Sequence, residues 1–111
     1  MTPDDFRRLA LQLPEAVEEK HMEHPDFRVR GKVFATLGWP DATWGVIKLP
    51  PEEQELRTRA EPTVFEPVPG AYGRRGYTKV RLSTADQQIL QGALRAAWRA
   101  IAPKHLIAEH D

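Results

Sequence analysis

The stretch FRVRGKVFATL, residues 27–37, decides the fold. On either side of Arg30-Gly31, apolar and polar side chains alternate with a period of two, which is the pattern of half-buried strands. Glycine accepts the positive φ that a tight turn between two strands requires. The stretch therefore predicts a β-hairpin. The residues expected to face the core are Phe27, Val29, Val33, Ala35 and Leu37.

More strands are expected along the chain. Residues 44–49 follow a turn-rich connection, and residues 77–82 alternate again between apolar and polar side chains. A short strand is expected at 63–65, and the proline- and glycine-rich stretch 67–76 is expected to be a loop. These segments predict an antiparallel meander of about five strands.

Three segments carry the signals of helices. Residues 2–13 begin with a threonine cap and a proline, and residues 50–61 begin with prolines and acidic side chains. The longest helix is expected to be capped by Ser83 or Thr84, and residues 90–101 carry its apolar stripe at helical spacing. We predict an α+β fold in which the N-terminal, short middle and long C-terminal helices pack on one face of the sheet.

Length and composition exclude several classes of protein. The chain has 111 residues, 41% apolar and 29% charged, which is the balance of one globular domain. It has no cysteine, so disulfides, thiolate metal sites and cysteine nucleophiles are excluded. Its first residues are acidic where a secretory signal is basic and apolar, and no apolar stretch approaches bilayer length. A cytoplasmic protein without membrane contact is expected.

The charges are unevenly distributed although the formal net charge is zero. Residues 28–48 hold four basic and one acidic side chain, and residues 70–82 hold four basic and no acidic ones. The acidic excess lies in 1–27 and 49–69, which include the first and middle helices. If the helices cover one face of the sheet, the opposite face or its rim is expected to be basic.

Catalytic and metal-binding patterns are weak. His21 and His24 form the one close histidine pair, but Pro25 disfavours the helix that would align them for a metal, so a solvated segment is the preferred interpretation. The glycine-rich stretch 70–76 lacks the Lys-Ser/Thr ending of a phosphate loop. We expect no catalytic residues, no metal and no cofactor. Were the protein an enzyme, the two histidines would be its best site.

Five segments in this order resemble the MmcQ/YjbR family of small bacterial proteins. They are LPEAVEE at 13–19, PDFRVRGKVFA at 25–35, IKL at 47–49, YGRRGY at 72–77 and APKHL at 102–106. Tyr77 departs from the tryptophan expected in this family. The resemblance implies one domain over residues 1–111 with a double-wing, CyaY-like α+β fold, and it implies DNA binding.

Charge and resemblance together give a functional hypothesis. We expect a non-enzymatic nucleic-acid-binding module, with DNA as partner, whose cations contact phosphates while Tyr77 stacks on a base. The residues assigned to nucleic-acid binding are Arg28, Arg30, Lys32, Lys48, Arg74, Arg75, Tyr77, Lys79 and Arg81. The alternative is a domain that binds a small anionic ligand or an acidic protein partner with the same basic face. A third interpretation treats these cations as ordinary solvent-facing strand residues.

Overall fold

The computed structural model describes residues 1–110 and contains five helices and six strands in that range. In chain order these are α1 (Pro3–Leu11), β1 (Val17–His21), β2 (His24–Val29), β3 (Lys32–Leu37), β4 (Trp44–Lys48), α2 (Pro51–Ala60), β5 (Phe65–Pro67), α3 (Ala71–Arg74), β6 (Tyr77–Arg81), α4 (Gln87–Ile101) and α5 (Lys104–Glu109). The α+β class predicted from the sequence is confirmed.

The strands form one antiparallel sheet in the order β1-β2-β3-β4-β6-β5. Strands β2, β3 and β4 follow one another in the sheet as expected, whereas β6 rather than β5 pairs with β4, so that β5 lies at the edge. Strand β1 was not predicted, because its five residues are all exposed and carry no alternation. Met22 and Glu23, with φ of 50° and 73°, form the two-residue turn that joins β1 to β2.

A β-bulge changes which residues of β3 face the core. Phe27 pairs with Ala35 and Arg28 with Val33, so Phe34 is the extra residue between the two pairs. Phe34 is 1% exposed and Val33 is 39% exposed. The alternation had predicted the reverse, with Val33 inward and Phe34 outward, and this prediction is wrong because a period of two does not continue through a bulge.

The core lies between the sheet and the helices α1 and α4, which both contact β3 and β4. On α4, the predicted apolar stripe is buried as far as Trp98, and the indole nitrogen of Trp98 donates to the carbonyl of Pro14 at 3.0 Å. Phe6 of α1 packs against Gly45, where a Cβ would lie 2.5 Å from the phenyl ring. Within residues 1–110, no helix combines the length and apolar character needed to cross a bilayer.

Helix α4 begins later than predicted. Its N-cap is Asp86, whose carboxylate accepts a hydrogen bond from the Ile89 amide at 2.8 Å. The hydroxyl of Thr84 instead donates to the carbonyl of Thr63 at 2.6 Å. Neither Ser83 nor Thr84 caps the helix, because this segment first crosses from β6 to the other layer in a turn.

The middle helix and the loop after it lie toward the β5 edge of the sheet. Helix α2 buries no side chain fully and contacts β5, and it carries the Glu53–Arg57 and Glu55–Arg59 ion pairs at 2.8 and 2.9 Å. Residues 67–76 are not wholly loop as predicted: β5 extends to Pro67, and Ala71–Arg74 form the short helix α3. We call the face of the sheet opposite α1 and α4 the outer face.

Candidate nucleic-acid interface

The pairing of β4 with β6 places cations and aromatic rings together on the outer face. Trp44 lies opposite Arg81, and Lys48 lies opposite Tyr77. Directly paired residues of antiparallel strands share a face, and every second residue of a strand returns to it. Lys79, midway between Tyr77 and Arg81 on β6, therefore lies on the outer face as well.

The cations of these strands stack on the rings. The Lys79 Nζ lies 4.8 Å from the centre of the Trp44 ring, and the Arg81 guanidinium lies 4.3 Å from it. The Lys48 Nζ lies 5.4 Å from the centre of the Tyr77 ring. These distances are within the cation–π range of about 6 Å. The rings therefore hold the long basic side chains in place without neutralising their charge.

Helix α3 extends this arrangement. The Tyr72 ring meets the Tyr77 ring edge to face, with centres 5.5 Å apart and an interplanar angle of 83°. The Arg75 guanidinium lies 5.9 Å from the centre of the Tyr72 ring. We call the resulting set the cation–aromatic strip. It consists of Trp44, Lys48, Tyr72, Arg75, Tyr77, Lys79 and Arg81.

Polar contacts and glycines fix α3 beside β6. The side-chain amide of Gln54, on α2, donates to the carbonyls of Gly73 and Tyr77 and to the Thr78 hydroxyl, at 3.0 to 3.1 Å. A Cβ on Gly73 would overlap the Val68 carbonyl, and one on Gly76 would overlap the Leu49 carbonyl. The YGRRGY segment therefore needs its two internal glycines for close backbone packing, and this packing positions Tyr72 and Tyr77.

Lys48 and the predicted site residues of the later basic block lie together. Lys48, Arg75 and Arg81 belong to the strip, and Arg74 is exposed on α3 beside them. Within residues 1–110, no carboxylate forms an ion pair with any of these four cations. Lys79 differs, since its ammonium lies 3.5 Å from a carboxylate oxygen of Glu66.

Two of the four cations of the earlier basic block, Arg28 and Arg30, have carboxylate partners. Arg28 donates two hydrogen bonds to Asp26, at 2.9 and 3.0 Å, and Arg30 donates two to Glu15, at 2.5 and 3.0 Å. The hydrogen bond from Arg30 holds the pKa of Glu15 below its ordinary value. Lys32 is exposed at the turn between β2 and β3, away from the paired strands β4 and β6. Within residues 1–110, both arginines of the earlier block therefore have ion pairs, whereas the three arginines of the later block have none.

An aromatic cleft opens on the outer face beside the strip. Its volume is about 340 Å³, its floor is the paired Thr36 and Val46, and three rings border it: Trp39, Tyr72 and Tyr77. Val68 completes the lining. We call this space the aromatic cleft. The same rings and Thr36 also border an adjoining hollow of about 580 Å³, which reaches His21, Met22, His24, Asp26, Arg28 and Val33.

The sequence pattern did not identify Trp39 and Tyr72 as site residues. Trp39 lies in the connection between β3 and β4 and Tyr72 in a stretch predicted to be loop, so neither belongs to a periodic pattern. Their signal is structural: Trp39 is 41% exposed and Tyr72 is 60% exposed, and contiguous exposed apolar surface is typical of interaction sites.

The connection that carries Trp39 is held at both ends. The Gly38 amide donates to the Trp44 carbonyl at 3.0 Å. The Asp41 carboxylate accepts from the amide and the hydroxyl of Thr43, at 2.8 and 2.6 Å. The Thr43 hydroxyl, followed by its amide, lowers the pKa of Asp41 below the ordinary value of 3.8. The wall of the aromatic cleft is thus fixed before any ligand arrives.

The histidine pair lies at the far end of the adjoining hollow. His21 pairs with His24 across the turn between β1 and β2. In the part of the chain that the structure describes, no three histidine or carboxylate side chains are grouped as metal ligands.

This arrangement defines a class: a small α+β protein with a helical layer on one face of an antiparallel sheet and rings and cations exposed on the other. The crystal structure of Deinococcus radiodurans protein DR2400, which has a DUF419 domain, shares the fold, with a TM-score of 0.74 over 94% of this chain and 80% of that chain. The two sequences are 23% identical. The YjbR family model matches residues 11–100, and the chain belongs to the YjbR family. Among curated proteins, none is significantly similar in sequence.

Proposed function

We propose that the protein binds DNA through the cation–aromatic strip and Arg74. The observation that carries the proposal is the gathering, beside exposed rings, of four cations that form no ion pair within residues 1–110. These cations are Lys48, Arg74, Arg75 and Arg81. The resemblance to DNA-binding proteins of this family points the same way, although a fold alone does not define a function.

The dimensions of the strip suit a nucleic-acid backbone. From Tyr77 to Arg81, β6 rises about 13 Å at the usual spacing of a strand. A DNA strand places one phosphate about every 3.4 Å along a duplex axis, so the strip can contact several successive phosphates. Its rings add contacts that do not depend on sequence, since every base has a face on which to stack.

The primary test is a salt titration of binding to a labelled duplex and to a single strand of the same length. Four phosphate contacts predict that log K falls with log salt with a slope of about −4 on the duplex and about −3 on the single strand. A flat salt dependence, or no binding at low salt, contradicts the proposal.

A variant pair locates the contact. Lys48→Met removes one charge of the strip but keeps the apolar stem, and it should reduce the magnitude of the slope by a little under one. Lys20→Met is the matched control, because Lys20 is an exposed lysine on β1, at the opposite edge of the sheet. An equal loss in both variants would mean that general charge, rather than the strip, attracts the DNA.

The aromatic cleft favours a second candidate, a domain that binds a small anionic ligand. Its volume of about 340 Å³ lies within the range of small-molecule sites, about 300–1,000 Å³. Lys48 and Arg75, stacked on two of its rings, would contact the anionic group. A thermal-shift screen of anionic metabolites and an acidic peptide discriminates, because a ligand that binds only the folded state raises Tm. This candidate requires that one of these small ligands raises Tm and that DNA does not.

A further inference from the structure

We propose that the aromatic cleft receives an unpaired base, so that the protein selects single-stranded over duplex DNA. This inference rests on the proposed function and specifies its ligand. A duplex presents its phosphates but keeps its bases stacked, and a base must leave the stack before it can enter a pocket. This cost is lowest for a base that is already single-stranded.

The shape and lining of the cleft fit a flat ring. Thr36 and Val46 form a narrow floor on adjacent strands, while Trp39 borders the cleft from the β3–β4 connection and Tyr72 and Tyr77 border it from α3 and β6. Rings from separate elements therefore surround one space, which is the arrangement that stacks a base. The exposed area of Trp39 and Tyr72 is then explained, because the base would cover it.

The charges beside the cleft fit the backbone that a base brings with it. Lys48 stacks on Tyr77 and Arg75 on Tyr72, so two of the three rings that border the cleft carry a cation. A base in the aromatic cleft would have its own phosphates within reach of these cations. An uncharged aromatic compound would use the rings but not the cations, which makes a nucleotide the better occupant.

The test compares three ligands of equal length at low salt: a thymidine strand, the same strand with every base removed, and a duplex. The wild-type protein should bind the thymidine strand roughly tenfold or more tightly than the abasic strand, which has the same phosphates. Trp39→Ala should bind the thymidine strand roughly tenfold more weakly than the wild type does, with an unchanged salt slope. Its affinity for the abasic strand and the duplex should not change.

Trp39→Phe is the matched variant. It keeps a stacking ring, so its affinity for the thymidine strand should stay within about threefold of the wild type. The thymidine strand should quench the tryptophan emission of the wild type by stacking on Trp39. Trp39 is the exposed tryptophan, because Trp44 and Trp98 are buried. The quench should be lost in Trp39→Phe even though binding is kept.

The outcomes separate the two proposals. If no ligand binds, DNA binding and the base site both fail. If all three ligands bind with the expected salt slopes but equally tightly, or if Trp39→Ala binds the thymidine strand like the wild type, DNA binding stands and the base site is wrong. Equal losses on the abasic strand in Trp39→Ala would also overturn it, because the residue would then act on the backbone.

Discussion

Gly76 is the residue on which the placement of β6 depends. It has a φ of 103°, and a Cβ would lie 1.8 Å from the Leu49 carbonyl oxygen. The backbone of Gly76 in turn accepts a hydrogen bond from the Leu49 amide at 3.0 Å. Any side chain at this position would separate the start of β6 from the end of β4, where Tyr77 faces Lys48.

Gly76→Ala should therefore lower the free energy of unfolding by about 2 to 4 kcal/mol, from backbone strain and overlap together. Gly31→Ala is the matched control: Gly31 has a φ of 81° but no atom within 4 Å of an added Cβ, so only strain remains, about 1 to 2 kcal/mol. Urea unfolding of both variants measures the difference. Equal losses would show that the close approach to Leu49 has no energetic weight.

Asp41 makes the connection before β4 sensitive to pH. Its pKa is lowered in the folded protein, so its carboxylate stabilises the fold above the ordinary value of 3.8, and this contribution is lost as pH falls through the folded pKa. Thr43→Val removes the hydroxyl that is the main cause, and the pKa of Asp41 should rise toward 3.8. Carboxyl NMR titration measures it, and Asp5, whose pKa is lowered by Thr2, should not change.

At the scale of elements, the side chain of Gln54 joins α2 to α3 and β6. It is the donor to two carbonyls and one hydroxyl of these elements. Helix α2 buries no side chain fully, so this polar contact substitutes for a hydrophobic one.

Gln54→Ala should lower the free energy of unfolding by about 1 to 3 kcal/mol, because partly buried carbonyls lose their donor. Amide hydrogen exchange should speed up in residues 70–77 more than in the rest of the sheet. Gln91→Ala, at an exposed position of α4, removes the same side chain without these contacts and should change neither measurement. Uniform acceleration across the chain would indicate global destabilisation instead of local release of α3.

The same elements show how far periodicity predicts a fold. Periodicity predicted the hairpin at 27–37, the α4 stripe and strand β6. Each of these elements is half-buried, so its apolar residues recur at the period of a strand or a helix. Strand β1 was missed because it is exposed along its whole length. The orientation of Phe34 was missed because a bulge is set by pairing between strands, which a single segment does not encode.

The site was predictable only in part, for a related reason. The cations on β4 and β6 could be found because strands alternate, but their register decides which of them stack on Trp44. The ion pair of Arg30 joins two separate segments of the chain, because its partner Glu15 lies fifteen residues earlier. The sequence therefore identified the basic side chains, and only the fold showed which of them form ion pairs with carboxylates.

At the scale of the whole molecule, a net charge of zero is compatible with positive charge that is concentrated on one part of the surface. Arg7 and Arg8 lie on α1, in the helical layer, and both have carboxylate partners there. Arg74 and Arg75 lie on α3 beside the strip and have no ion pair within residues 1–110. Each pair consists of two consecutive arginines. The pairs differ in the side of the molecule they occupy and in whether carboxylates pair with them.

Replacing each pair by glutamine lowers the net charge equally, which separates local from total charge. Arg74→Gln with Arg75→Gln should weaken DNA binding about tenfold or more at low salt and reduce the magnitude of the salt slope by about 1.5 to 2, because two phosphate contacts are lost. Arg7→Gln with Arg8→Gln should leave the DNA affinity and the salt slope unchanged within error. Salt screens a charge beyond about 10 Å, so only charges close to the bound DNA attract it. Fluorescence anisotropy measures both variants, and Tm should confirm that each is folded, exposed ion pairs contributing little to stability. If the α1 pair matters as much as the α3 pair, the DNA contacts the helical layer, and the assignment of the interface to the outer face is wrong.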